Sequence, residues 1–223
     1  FVWVNGTVPR LRDALPFALT AAQARVYAQL REDLSQPRPM LRLVQGDVGS
    51  GKTVVAAMAA LLAVADGRQA ALMAPTELLA EQHLANLRGW LEPLGIQVSW
   101  LAGKVTGKAR AKALDEVASG AAQVVVGTHA LMQEGVTFHD LALAIVDEQH
   151  RFGVHQRLAL RDQGKGNVPH QLVMTATPIP RTLALSAYAD LDVSAIDELP
   201  PGRTPVTTIA LSAGRRAELV ERI

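Results

Sequence analysis

One octapeptide constrains this chain more than any other feature: Gly46-Asp47-Val48-Gly49-Ser50-Gly51-Lys52-Thr53. It satisfies G-x-x-x-x-G-K-[ST] at every fixed position. It follows the apolar run Leu41 to Gln45 directly and opens the alanine-rich stretch Lys52 to Ala65, so a strand must lead into a helix through this turn. The residue types explain themselves chemically. Glycines let backbone N–H groups turn inward around phosphate oxygens, and the helix N-terminus adds its dipole. Lys52 then neutralises the outer phosphates, and the Thr53 hydroxyl is a hard oxygen suited to Mg²⁺. Gly46, Asp47, Val48, Gly49, Ser50 and Gly51 form the candidate cradle. Background composition would produce the pattern in about one chain of this length in a hundred, before its strand and helix context is required.

Leu143-Ala144-Ile145-Val146-Asp147-Glu148 is the expected complement. An apolar strand ending in two carboxylates puts Asp147 at the carboxyl edge of a sheet, where open α/β sheets bind their ligands. Taken alone, such a strand end is a common surface turn. With the phosphate loop about a hundred residues upstream it gains a chemistry. Asp147 is placed to hold the Mg²⁺ shell, and Glu148 to accept a proton from a water attacking the last phosphate. The expected ligand is ATP with Mg²⁺, and Lys52, Asp147 and Glu148 are the candidate catalytic residues.

Short β-branched runs alternate with longer amphipathic stretches, which predicts an α/β fold with a mostly parallel sheet and helices on both faces. Strands are predicted at Leu41 to Gln45, Ala70 to Ala74, Val98 to Leu101, Gln123 to Gly127, Leu143 to Asp147, Gln171 to Thr175 and Val193 to Ile196. Helices are predicted at Ala21 to Leu34, Lys52 to Ala65, Leu78 to Trp90, Lys108 to Ser119 and Arg181 to Tyr188. With 223 residues, 49% of them hydrophobic, the chain can fill a sizeable core. It has no cysteine, which excludes disulfides and thiolate metal sites and fits a reducing cytoplasm. Its apolar stretches are too short to span a membrane, and Phe1 to Gly6 lacks the order of a secretion signal. Pro200-Pro201-Gly202 reads as a stiff boundary. Residues 1–14 remain unassigned, 15–199 form one lobe, 200–205 a linker, and 206–223 the start of a second lobe.

Three longer strings carry a resemblance. Gln45 to Thr53, Asp147-Glu148-Gln149-His150-Arg151-Phe152-Gly153-Val154, and Thr175-Ala176-Thr177-Pro178-Ile179-Pro180-Arg181-Thr182-Leu183 resemble the first RecA-like lobe of the RecG family, superfamily 2 DNA helicases. The likeness runs from about Leu15 to the end. The transcription-repair coupling factor shares two of the strings, but usually carries Glu at the place of Gln149 and Phe at that of Ser50. The resemblance implies a RecA-like P-loop fold and an ATP-driven motor that moves on double-stranded DNA and remodels branched DNA. It gives Gln23 the adenine edge, and makes His150, Thr175 and Thr177 the coupling between nucleotide and nucleic acid. It also implies two partners outside this chain, a second RecA-like lobe bearing an arginine finger and a branch-recognising wedge domain. The isolated chain is therefore expected to bind ATP weakly and hydrolyse it barely. Translocation by a coupling factor, and nucleotide-gated DNA binding without turnover, are the alternatives.

The formal net charge is only +1, so any contact with a polyanion must be local. In this superfamily the loops after successive strands line the DNA groove, which makes Thr76, Thr128 and His129 candidate phosphate contacts. Hydroxyls and helix N-termini hold phosphates without reading bases, as a motor on any sequence requires. Lys104 and Lys108, with Arg110, form the one clear basic cluster, and a solvated loop explains them equally well. Glu77 and Glu81 read as capping and solvated residues. His83, His139, His155 and His170 show no metal-ligand spacing and read as surface or packing residues.

Overall fold

Strands whose residues are apolar on both faces must be covered on both faces, and this chain supplies the covers in sequence order. The computed structural model describes residues 7–133, 135–148, 168–177 and 191–198, with Ser212 and Gly214. Among the described residues seven strands form a single sheet: β1 Leu41–Gly46, β2 Gln69–Met73, β3 Val98–Leu101, β4 Val124–Gly127, β5 Leu141–Asp147, β6 His170–Thr175 and β7 Asp192–Ile196. Their order is β3-β4-β2-β5-β6-β1-β7, and every pairing is parallel. All seven residues of the central strand β5 are buried.

The α-helices among the described residues are α1 Thr7–Ala14, α2 Ala21–Leu34, α3 Lys52–Ala65, α4 Glu77–Leu91 and α5 Gly107–Ser119. Strand residues alternate between the two faces of the sheet. Leu143, Ile145, Leu172 and Met174 pack with α1, α2, α3 and the Leu87 and Leu91 side of α4. Ala144, Val146, Val125 and Met73 pack on the other face with Ala113 and Val117 of α5. Ten consecutive residues of α3, Val54 to Ala63, are buried. A helix apolar all round belongs inside, and the small alanine side chains let the sheet, α1 and α2 all approach it.

The expected strands and the first four expected helices are present, with ends shifted by one or two residues, as helix and strand ends usually are. Helix α1 is an addition, since residues 1–14 carry no sequence assignment: Val8 and Leu11, followed by Leu15, join the main core. The expectations for Gln149 and His150, for Pro178 to Leu183, for the helix at Arg181 to Tyr188 and for the linker 200–205 lie outside the described residues. So do His155, residues 1–6 and, apart from Ser212 and Gly214, the segment 206–223. Among the described residues no helix is long and apolar enough to cross a membrane.

Candidate active site

Parallel strands end together, so the loops that follow them gather along one edge. Register places the key residues there: Gln45 of β1 pairs with Thr175 of β6, and Met174 of β6 pairs with Asp147 of β5. Only β6 separates β1 from β5, so the phosphate loop and the carboxylates are two strand spacings apart, about 10 Å. That span suits a chain of phosphates with a bound cation.

Helix α3 begins at Gly51, whose φ of 88° is left-handed and which makes no side-chain cap. The helix N-terminus is thereby left to the loop and to whatever anion enters it. A Cβ at Gly51 would also crowd Nε2 of Gln23, which would have to leave its place against the Ser50 carbonyl. Lys52 reaches back over the loop, with Nζ donating to the carbonyls of Gly46 at 2.6 Å and Asp47 at 3.0 Å. Burial lowers the Lys52 pKa, and the carboxylates of Asp147, Glu148 and Asp47 oppose that shift. Strand register sets the lysine loop and the acidic pair on the same sheet edge. Ser50 Oγ is buried without a hydrogen-bond partner among the described residues, so the loop retains an unmet polar atom.

Gln23, to which the resemblance gives the adenine edge, is buried at 5% exposure. Its Oε1 accepts the Thr20 N–H at 2.9 Å, closing a capping box at the start of α2, and its Nε2 donates to the Ser50 carbonyl at 2.8 Å. It braces the phosphate loop from the side. The Glu198 carboxylate adds to the same helix start by accepting the Ala22 N–H at 3.1 Å.

Glu148 adopts φ 50°, the left-handed region that a non-glycine residue enters at a cost. Several bonds hold it there. Its N–H donates to the Met174 carbonyl at 2.8 Å, and its carboxylate accepts from the Thr175 hydroxyl at 3.1 Å and the Ala176 N–H at 2.9 Å. The Thr177 N–H in turn donates to Thr175 Oγ1 at 3.1 Å. Backbone strain held by its surroundings clusters at functional positions, and here it turns the candidate base towards the Thr175 loop.

One histidine departs from its sequence reading. His83 is neither a surface residue nor simple packing: it is 7% exposed, and its Nε2 lies 2.7 Å from Oδ2 of Asp147. No spacing rule could find it, because 64 positions separate the two residues and only the adjacency of β2 and β5 brings α4 over the β5 end. His170 is a packing residue as expected, with Nδ1 accepting the Met40 N–H at 3.0 Å.

The other half of the same edge holds the remaining candidates. Thr76 is exposed and caps α4, accepting from the Leu79 N–H at 3.3 Å. Thr128 is buried and begins the short turn after β4, while its neighbour His129 is exposed. Lys104 and Lys108 are exposed. Lys104 is also paired, with Nζ 2.6 Å from Glu77 and 3.7 Å from Glu81. Glu77 and Glu81 thus hold a cation rather than merely face solvent.

The profile of the DEAD/DEAH box helicases matches residues 20–185, from the capping box of α2 to beyond the Thr175 loop. The chain belongs to this family. Among relatives, this DEAD/DEAH box domain is 66% identical over 211 residues to the ATP-dependent DNA helicase RecG of Pasteurella multocida, covering 94% of this chain and 30% of that protein. To the ATP-dependent DNA helicase RecG of Escherichia coli K12 it is 64% identical over 216 residues, 96% of this chain and 31% of the relative. The chain spans less than a third of the length of these relatives. A solved structure of RecG bound to a three-way DNA junction superimposes with a TM-score of 0.83 at 44% identity, over 96% of this chain and 28% of that one.

The donor set fits Mg²⁺. Thr53 and Asp147 offer hard oxygens, few in number, as an ion that keeps water and phosphate ligands requires.

Proposed function

We propose that this chain is the ATP-binding lobe of a DNA helicase motor, one that hydrolyses ATP to move on double-stranded DNA and remodel branched structures. The observation that supports the reading is the shared sheet edge, where the loop carrying Lys52 follows β1 and the Asp147–Glu148 pair ends β5, with only β6 between them. The kinship with RecG relatives supports DNA as the polymer and branched DNA as the substrate class.

In this reading the cradle from Gly46 to Gly51 binds the phosphates through backbone N–H groups. Lys52 exchanges its two carbonyl partners for phosphate oxygens and stabilises the transferred charge. Glu148, fixed by Thr175 and Ala176, orients the attacking water and accepts its proton. Thr53 and Asp147 would hold Mg²⁺, which when bound supplies positive charge at the phosphate oxygens. Gln23 can exchange its bonds to Thr20 and Ser50 for the adenine edge, with one amide donor and one acceptor. Thr175, Thr177 and His150 couple this half of the edge to the other. There Thr76, His129, Lys104 and Lys108 face the DNA backbone, Lys104 leaving Glu77 for a phosphate, whereas Thr128, expected as a phosphate contact, is buried and caps the turn that presents His129. A second RecA-like lobe and a wedge domain complete the motor, and its compartment is the bacterial cytoplasm.

The test is Lys52→Ala in the protein carrying both lobes. DNA-stimulated ATP turnover should disappear, and turnover at the wild-type rate would overturn the proposal.

A further inference from the structure

We infer that His83 is a positioning residue for Asp147, fixing the orientation of the carboxylate that holds Mg²⁺; this rests on the nucleotide-site reading above. The apolar face of α4 makes the case. Ala80, Leu87 and Leu91 are the other buried residues on that face, so packing alone calls for one more apolar side chain at position 83. A histidine there is costly, because Nδ1 is buried without a hydrogen-bond partner among the described residues. An unpaired buried acceptor costs about 1–3 kcal/mol. What the ring supplies in return is the 2.7 Å bond from Nε2 to Asp147 Oδ2, between side chains 9% and 11% exposed.

With Nε2 carrying the proton, the imidazole donates to one carboxylate oxygen and leaves Oδ1 for the hydration shell of a metal. Partners behind metal-binding carboxylates are known to set ligand orientation and affinity. The bond also joins the two halves of the sheet edge. His83 lies seven residues, two helical turns, after Thr76, so α4 runs from the proposed DNA-facing loop to the metal carboxylate over about 10 Å.

The experiment measures binding of a fluorescent ADP analogue in EDTA and across a Mg²⁺ titration, for wild type, His83→Ala and His83→Gln. In His83→Ala the half-saturating Mg²⁺ concentration should rise by about 10-fold or more, with affinity in EDTA unchanged. Gln carries an N–H donor at nearly the position of Nε2, so His83→Gln should restore the wild-type Mg²⁺ response. His83→Asn, polar but too short to reach Oδ2, is the second loss variant should His83→Ala not fold. The inference is overturned by an unchanged Mg²⁺ midpoint in the loss variants, by a parallel fall in EDTA that marks a packing role, or by His83→Gln as impaired as His83→Ala. A wild-type chain without Mg²⁺-dependent nucleotide binding would instead sink the nucleotide reading itself.

Discussion

Replacing Gln23 with alanine isolates the brace on the phosphate loop. The substitution removes the acceptor that takes the Thr20 N–H at 2.9 Å and the donor that reaches the Ser50 carbonyl at 2.8 Å. Each such bond is worth about 1 kcal/mol net, and one buried methylene adds about 0.8 kcal/mol. The sum is about 2–3 kcal/mol. For a domain of this size that corresponds to a Tm lower by about 5–10 °C. Calorimetry gives the Tm, and urea unfolding gives the midpoint, which should move at constant slope because the surface exposed on unfolding is unchanged. Gln23→Glu separates the two bonds: it keeps the acceptor for Thr20 but turns a carboxylate oxygen towards the Ser50 carbonyl, so it should not recover the loss. A Tm for Gln23→Ala within about 1 °C of wild type would refute the brace.

Further outcomes follow from single contacts. If Gln23 also reads adenine, Gln23→Ala should erase a preference for ATP over GTP in competition binding, whereas a brace alone lowers both affinities together. Gly127→Ala would place a Cβ 1.9 Å from the backbone carbonyl oxygen of Leu101 on the neighbouring strand. Strands β3 and β4 would have to part, at about 1–3 kcal/mol or more; an unchanged Tm would contradict the close approach. His170 brings a pH dependence. Burial, with Arg68 adding to it and Asp33 opposing, holds its imidazole below the ordinary value. The folded chain then binds that proton less readily than the unfolded one, so stability is full above the unfolded pKa and is lost as pH falls from there through the folded one. His170→Asn, whose Oδ1 can accept the Met40 N–H, should flatten this acid limb in a series of Tm against pH, and an unaltered limb would contradict it.

How much of this was legible in the sequence depends on whether the information was local. The phosphate loop and the Asp147–Glu148 strand end are read directly, because both are short strings whose chemistry depends on adjacent residues. The strands are legible for the same reason, as nearly continuous apolar runs. Helix α1 escaped because Thr7–Ala14 offers only Val8 and Leu11 as core residues; with Leu15 they are spaced by three and four positions, a helical signal too brief to assert. The partners of His83 and Lys104 were not legible at all. Both depend on sheet order: β2 beside β5 sets His83 over Asp147, and β3 beyond β4 and β2 carries the Lys104 loop to the start of α4. Alternation of strand and helix does not specify that order. Gln23 stands between these cases, since the capping box from Thr20 to Gln23 is a local pattern while its bond to Ser50 is not.

The central claim is that one sheet edge seats a polyphosphate and its divalent ion between Lys52 and the acidic pair. A crystal structure with Mg²⁺ and a non-hydrolysable ATP analogue tests it most directly. The terminal phosphates should lie against Lys52 Nζ, released from the Gly46 and Asp47 carbonyls, with the metal between the Thr53 hydroxyl and the Asp147 carboxylate. A nucleotide bound elsewhere, with Lys52 still held by those two carbonyls, would contradict it.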